Sequence, residues 1–221
     1  MNGSEQTAVA HRDYSMSEFS NFITSLRSRV GAVEFESLED DASSSNPLRL
    51  AAVALVLREG LEGPELLVIK RSEAEHDHWS GHMALPGGRV EAEDESLLAT
   101  AARETFEEVG LDLRAGGEAL TRLSTIKPSS PFAPRVSVTP FVFVAPQEYH
   151  AAAGSKELSL SEEVAAAFWV PVDELKRGGR SAVFRMVFAG VEREWPAYPS
   201  QHGLIWGITE RILTEFLSLV D

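Results

Sequence analysis

Residues 86–111 read PGGRVEAEDESLLATAARETFEEVGL, and they are the most informative part of the chain. The end of this stretch places three carboxylates, those of Glu104, Glu107 and Glu108, at positions i, i+3 and i+4 of one predicted helix. Like charges at this spacing repel by roughly 0.2–0.5 kcal/mol per pair, and the negative end of the helix dipole adds to the repulsion. The spacing therefore favours a bound cation, and a hard divalent ion such as Mg²⁺ prefers oxygen ligands of this kind.

A solvated acidic surface is the alternative interpretation, because the chain has 34 Asp and Glu residues against 20 Lys and Arg. The flanking residues argue against it. Two glycines in the turn at 86–88 allow the backbone to approach an ion or a phosphate. Gly110 followed by Leu111 is typical of a helix C-terminus. A mostly apolar stripe predicts that the carboxylates point away from the core, and it consists of Leu97, Leu98, Ala101, Thr105 and Val109.

The same stretch resembles the Nudix box, whose pattern is G-x5-E-x7-R-E-U-x-E-E-x-G-U, where U is a bulky apolar residue. Residues 103–111 match the end of the pattern, and Glu95 stands eight residues before them. Two positions depart from it. Arg89 stands where the box has its glycine, so Gly88 takes that place with one extra residue in the loop. Thr105 replaces the usual apolar residue, although its methyl group can still pack.

The resemblance implies an α/β fold, a Nudix-type α/β/α sandwich with a mixed central sheet. It also implies a pyrophosphohydrolase that acts on a nucleoside diphosphate derivative with Mg²⁺ or Mn²⁺ as cofactor. Cations held by a glutamate cluster neutralise charge on a pyrophosphate and lower the pKa of an attacking water. The implied metal ligands are the backbone carbonyl of Gly88 and the side chains of Glu104, Glu107 and Glu108. Arg103 lies four residues before Glu107 and is predicted to hold that carboxylate in one rotamer.

The catalytic base is left open by the sequence. It could be Glu104 itself, a hydroxide on the metal, or a carboxylate from the segment SEEVAAAFWVP at residues 161–171. Glu163 is the candidate within that segment, and an exposed loop glutamate would look the same. Glu95 could complete the ligand set or only cap the helix.

Residues outside the box point to one branch of the family. The segments LLVIKRS at 66–72 and WSGHMALPGGR at 79–89, with the tail IWGITERIL at 205–213, are similar to the coenzyme A pyrophosphatases. His76 and Asp77 depart from that branch, where a basic residue is expected. ADP-ribose, dinucleotides and nucleoside triphosphates therefore remain alternative substrates.

Cations and aromatic residues near the box are candidates for substrate binding. In an acidic protein, basic side chains would focus a ligand that carries phosphates, although ordinary surface charges look the same. The assigned substrate-binding residues are Lys70, Arg71, Arg89 and Arg135. Aromatic rings that could stack on a base, but more often pack in a core, are Trp79, Phe132 and Trp206.

Two other classes of protein fit the chain less well. A ligand-sensing protein on a Nudix fold needs no catalysis, but it usually has broken box carboxylates, and all are present here. An isopentenyl diphosphate isomerase relies on a catalytic cysteine, and the chain has none.

The net charge of −14 argues against nucleic-acid binding, because no basic stripe is available for a phosphate backbone. The longest aliphatic run, at 50–57, is too short to span a membrane, so a cytoplasmic protein is expected.

The chain is predicted to divide at residue 47. Residues 1–47 would form a disordered N-terminus, a short amphipathic helix and an acidic linker, and residues 48–221 the Nudix domain. The helix begins at the capping box formed by Ser15 and Glu18, and it could dock on its own domain, on a second subunit of a homodimer, or nowhere. Strands are predicted at 49–57, 66–70, 83–85, 120–126, 136–144 and 168–170, and a closing amphipathic helix contains Ile205, Ile208, Ile212, Phe216 and Leu219.

Overall fold

A mixed β-sheet between helices forms the centre of the molecule, which confirms the predicted α/β class. The computed structural model describes residues 15–31, 49–73, 80–127, 136–188 and 190–221. Its helices are α1 (Ser15–Arg29), α2 (Leu97–Val109), α3 (Val172–Gly178) and α4 (Gly207–Leu219). Its strands are β1 (Arg49–Glu59), β2 (Pro64–Arg71), β3 (Met83–Ala84), β4 (Gly87–Arg89), β5 (Glu118–Arg122), β6 (Val136–Val144), β7 (Val164–Pro171), β8 (Ala182–Phe188), β9 (Val191–Ser200) and β10 (Gly203–Trp206).

The central sheet has seven strands in the order β3-β2-β1-β6-β5, with β4 paired to β1 and β7 paired to β2. β1 and β6 run parallel, and the other pairs are antiparallel. β1 is almost continuously apolar because it lies in the middle of this sheet with core on both faces. The pairing of β4 with β1 brings the glycine turn against the middle of the sheet, which positions the site described below.

Helix α1 docks on its own domain. Phe19, Ile23 and Leu26 are buried in the same apolar cluster as the strands of the central sheet and α4. Arg27 forms an ion pair with Glu118 at the start of β5. The helix therefore forms where it was predicted, and the structure answers the question of docking. The division of the chain at residue 47 stays a prediction.

A second sheet, β10-β9-β8, was not predicted from the sequence. Its strand β10 contains Ile205, which was wrongly assigned to the closing helix, because that helix begins at Gly207. Trp206 is only 6% exposed and stacks on Phe184, with 4.0 Å between ring centroids. Trp206 therefore packs inside the protein and does not stack on a base.

Several predictions fall outside the described residues: the disordered N-terminus, the acidic linker, and the roles assigned to His76, Trp79, Phe132 and Arg135. None of the helices that the structure describes is long and apolar enough to cross a membrane.

Candidate active site

The box helix α2 has well-defined ends. Ser96 is its N-cap, and the Ser96 side chain accepts a hydrogen bond of 3.1 Å from the backbone N–H of Ala99. Gly110 ends the helix in the left-handed conformation, with φ of 68°. Glu95 is exposed and does not cap the helix, since Ser96 does so. The caps place the last two turns of α2, which carry the three glutamates, beside the glycine turn.

The glycine turn packs directly against two of these glutamates. Gly87 has φ of 151°, and its N–H donates a hydrogen bond of 2.9 Å to Oε2 of Glu108. A Cβ atom on Gly88 would overlap the carboxylate of Glu104. Glycine at position 88 therefore leaves the room that the Glu104 carboxylate occupies, and the backbone of the turn reaches the acidic cluster.

Glu108 is buried, with 5% of the residue exposed, so the prediction that all three carboxylates point away from the interior is wrong for this residue. Burial raises the pKa of Glu108 to about 7, and the charges of Glu104 and Glu163 act in the same direction. The Gly87 N–H and the charge of Arg71 partly oppose this rise. Burial also raises the pKa of Glu104, while Arg103 lowers it. Burial therefore disfavours the charged form of both carboxylates, and a cation bound beside them would favour it.

Glu108→Gln is expected to stabilise the metal-free protein above pH 7. Between the ordinary glutamate pKa of 4.5 and the folded value of about 7, the folded state binds more protons than the unfolded state, so stability falls as pH rises. The loss amounts to about 3 kcal/mol. The glutamine does not titrate, and its carbonyl can still accept from Gly87. Urea unfolding with EDTA at pH 4.5 and pH 8 should show the variant gaining stability relative to wild type only at the higher pH; an equal difference at both would contradict this.

Arg103 contacts three carboxylates of the site, those of Asp94, Glu104 and Glu107. Its guanidinium contacts both oxygens of Asp94 at 2.9 Å, and its Nη1 atom lies 3.1 Å from Glu104 and 2.9 Å from Glu107. The predicted contact between Arg103 and Glu107 is therefore present. Its Nη2 atom also donates a 3.0 Å hydrogen bond to the carbonyl of Arg89. One arginine thus offsets the repulsion between carboxylates that the spacing predicted.

Asp94 is a site residue that the sequence analysis missed. Its side chain accepts hydrogen bonds from Arg103, from the hydroxyl of Thr100 and from the backbone N–H of Glu91. The hydrogen bond from Arg103 lowers the pKa of Asp94. Asp94 precedes the helix in the chain, so helical periodicity could not link it to the glutamates. Its position nine residues before the arginine was the available signal.

The predicted metal ligands are neighbours but do not converge on one point. Among the residues that the structure describes, no three His, Cys, Asp or Glu side chains are arranged so that they could hold a metal ion together. Arg103 Nη1 lies between Glu104 and Glu107, while Glu108 is hydrogen bonded to Gly87. The assignment of Gly88, Glu104, Glu107 and Glu108 as ligands stays a prediction.

The turn that carries Glu163 lies beside the acidic cluster. The N–H of Ser161 donates a 3.0 Å hydrogen bond to the carbonyl of Glu108, and the N–H of Ser72 donates one of 2.8 Å to the carbonyl of Glu163. The Glu163 side chain is exposed, yet its charge contributes to the raised pKa of Glu108. The structure therefore brings this candidate base near the glutamates, and its role stays a prediction.

The predicted substrate-binding cations are distributed around the cluster. Arg71 lies close enough to lower the pKa of Glu108 by its charge. Lys70 precedes it in β2 and is partly buried, and Arg89 is exposed in β4. Their roles also stay predictions.

Comparison with known proteins identifies the family. The model of the NUDIX domain matches residues 47–188. The chain is 34% identical over 176 residues to the uncharacterized Nudix hydrolase NudL of Cronobacter sakazakii, and the alignment covers 78% of this chain and 83% of that protein. An uncharacterized protein of Schizosaccharomyces pombe is 59% identical over 51 residues, which span 23% of this chain and 16% of that protein.

A solved structure supports the fold. The bifunctional NMN adenylyltransferase/ADP ribose pyrophosphatase from Francisella tularensis, complexed with AMP and a manganese ion, superposes with a TM-score of 0.53 and 16% identity. The match covers 93% of this chain and 48% of that chain, and it concerns the fold alone. The family model and the NudL alignment together go further: this chain belongs to the Nudix family and is a hydrolase of that family.

Proposed function

We propose that this Nudix hydrolase cleaves the pyrophosphate linkage of coenzyme A or a coenzyme A derivative. That it acts on nucleotide derivatives follows from its family, and the choice of coenzyme A is the new step. The observation that supports hydrolysis at this site is the acidic cluster itself. Glu104 and Glu108 have raised pKa values through burial, and both lie against the glycine turn.

The donor set fits a hard divalent cation. Nudix hydrolases generally use such ions, and carboxylate and carbonyl oxygens are the ligands that Mg²⁺ and Mn²⁺ prefer. The residues that would hold the ion are Glu104, Glu107, Glu108 and the carbonyl of Gly88. When bound, it would supply charge stabilisation for the phosphate oxygens and lower the pKa of an attacking water.

The protein side chains have separate tasks in this proposal. Arg103, held by Asp94, orients Glu104 and Glu107. Glu163 would accept the proton of the attacking water, because its turn is fastened beside the cluster. Arg71 would attract the phosphates of the substrate.

Support for coenzyme A comes from the two segments that resemble the coenzyme A pyrophosphatases, because they are neighbours in the structure. β2 pairs with β3, with Lys70 opposite Met83. Arg71 and His82 are joined by a backbone hydrogen bond of 3.0 Å, from the N–H of Arg71 to the carbonyl of His82. The two segments are therefore adjacent in the central sheet, and Arg71 at the end of β2 lies close enough to act on Glu108 by its charge. ADP-ribose, dinucleotides and nucleoside triphosphates are the alternatives that the experiment must separate.

Hydrolysis of coenzyme A, dephospho-coenzyme A, ADP-ribose, NADH, diadenosine polyphosphates and nucleoside triphosphates should be compared with Mg²⁺ and with Mn²⁺. Coenzyme A is expected to give 3′,5′-ADP and 4′-phosphopantetheine. Dephospho-coenzyme A should be a poorer substrate, with kcat/KM lower by about ten- to a hundredfold. It lacks the 3′-phosphate, so a basic side chain of the protein loses its contact with that group. A preference of the same size for ADP-ribose or a nucleoside triphosphate would reject coenzyme A and leave the hydrolase function standing.

A further inference from the structure

We propose that Ser72 is a positioning residue: its hydroxyl fastens the turn at 161–164 so that Glu163 stays beside the acidic cluster. This inference rests on the proposed function, in which Glu163 takes the proton of the attacking water. Ser72 ends the segment LLVIKRS at 66–72, and none of the roles described above involves its side chain.

The turn is attached at two places. Oγ of Ser72 donates a 2.8 Å hydrogen bond to the carbonyl of Glu162, and the Ser72 N–H donates one of the same length to the carbonyl of Glu163. At the other end, the N–H of Ser161 donates to the carbonyl of Glu108. The turn therefore connects the end of β2 with the last two turns of α2, which carry the glutamates.

The strand ladder stops just before this turn. β2 and β7 pair regularly as far as Lys70 and Ala166, and then the register shifts so that Arg71 lies opposite Val164. Such an irregularity leaves one residue out of the ladder and changes the direction of the strand. Ser72 follows at once, and its two hydrogen bonds hold the chain beyond the point where the pairing changes.

Packing holds this turn only at Val164, which is buried, because the side chains of Glu162 and Glu163 are exposed. Its hydrogen bonds therefore have a large share in fixing where the Glu163 carboxylate lies. Ser72→Ala removes the bond from Oγ and keeps the one from the backbone N–H, so the turn should loosen without unfolding. A loosely held base spends less time in a reactive position, which lowers kcat rather than raising KM.

A double-mutant cycle tests this coupling. The proteins are wild type, Ser72→Ala, Glu163→Gln and the double variant, assayed with coenzyme A and Mg²⁺ or with whichever substrate the wild type prefers. Ser72→Ala is expected to lower kcat on the order of three- to tenfold in wild type, with KM nearly unchanged. In the Glu163→Gln background the same substitution should have almost no effect, since there is no base left to position. Ser72→Thr keeps the hydroxyl and should restore most of the loss.

Ser218→Ala is the matched control, because it also removes a serine hydroxyl that donates to a backbone carbonyl. Oγ of Ser218 donates a 2.6 Å hydrogen bond to the carbonyl of Glu215, and both residues lie on helix α4. The control variant should leave kcat unchanged. Hydrogen–deuterium exchange adds a readout without turnover: the amides at 161–164 should exchange faster in Ser72→Ala than in Ser218→Ala.

Four results would each overturn the inference. Three of them concern Ser72→Ala: a wild-type kcat, an equal loss of kcat in both backgrounds, and unchanged exchange at 161–164. A Glu163→Gln protein with normal kcat would also overturn it, while the hydrolase function would stand. Failure of wild type to cleave any of the pyrophosphate substrates would instead reject the proposed function, and the exchange measurement would still decide whether Ser72 holds the turn.

Discussion

Glu107→Gln is expected to lower kcat on the order of 10³-fold and to leave the fold intact. The side chain of Glu107 is 53% exposed, and its contact with Arg103 is an ion pair at the surface. Such pairs contribute about 0–1 kcal/mol to stability, so folding should survive their loss. The effect on turnover has a different origin: the variant removes one proposed ligand of the cation, whose stabilisation of charge in the transition state is worth several kcal/mol. Each 1.36 kcal/mol corresponds to a factor of ten in rate.

Glu148→Gln is the matched control for this variant. Glu148 is 54% exposed and pairs with Lys156 at 3.1 Å, much as Glu107 pairs with Arg103 at 2.9 Å. It should retain the kcat of wild type, and circular dichroism should show that both variants are folded. Retention of most activity by Glu107→Gln would remove Glu107 from the site.

Glu163→Gln should lower kcat by roughly 10²–10⁴-fold, the usual contribution of a general base. The amide cannot take up a proton at neutral pH, but it has nearly the size of the carboxylate and should leave the turn in place. The affinity for the metal should change little, because Glu163 is not among the proposed ligands. Single-turnover kinetics with saturating substrate would report the chemical step alone.

Glu162→Gln supplies the comparison for that experiment. Glu162 is the neighbouring exposed glutamate on the same turn, so this variant makes the same change of charge without removing the proposed base. Equal losses of kcat in the two variants would indicate that turnover depends on the negative charge of the turn and not on which of the two residues carries it. A normal kcat in Glu163→Gln would return the role of base to Glu104 or to a hydroxide on the metal.

The sequence was a good guide where local patterns determine the structure. Helix α2 ends at Val109 with Gly110 in the left-handed conformation, as the Gly-Leu pair indicated. Strand β6 has the predicted bounds of 136–144, since a run of apolar and β-branched residues there satisfies both faces of the sheet. The contact between Arg103 and Glu107 follows from helical spacing alone.

Long-range pairing accounts for what the sequence did not show. Glu108 is buried because β4 pairs with β1 and brings Gly87 over the last turn of α2, and spacing within one helix contains no information about that contact. Asp94 joins the site through Arg103 across a loop. β8 alternates between half-buried and exposed positions, but its sequence AVFRMVF is apolar everywhere except at Arg185, so it lacks the apolar/polar alternation that would have marked a half-buried strand.

Binding of Mn²⁺ to the carboxylate cluster can be measured directly by electron paramagnetic resonance, because the signal of free Mn²⁺ decreases as the ion binds. Wild type and Glu148→Gln should bind the ion with equal affinity. Glu107→Gln should bind it at least about tenfold more weakly, since even partners outside the ligand set are typically worth 10–100-fold in metal affinity. If all three proteins bind Mn²⁺ equally, or if wild type does not bind it, the last turn of α2 is not the metal site of this hydrolase.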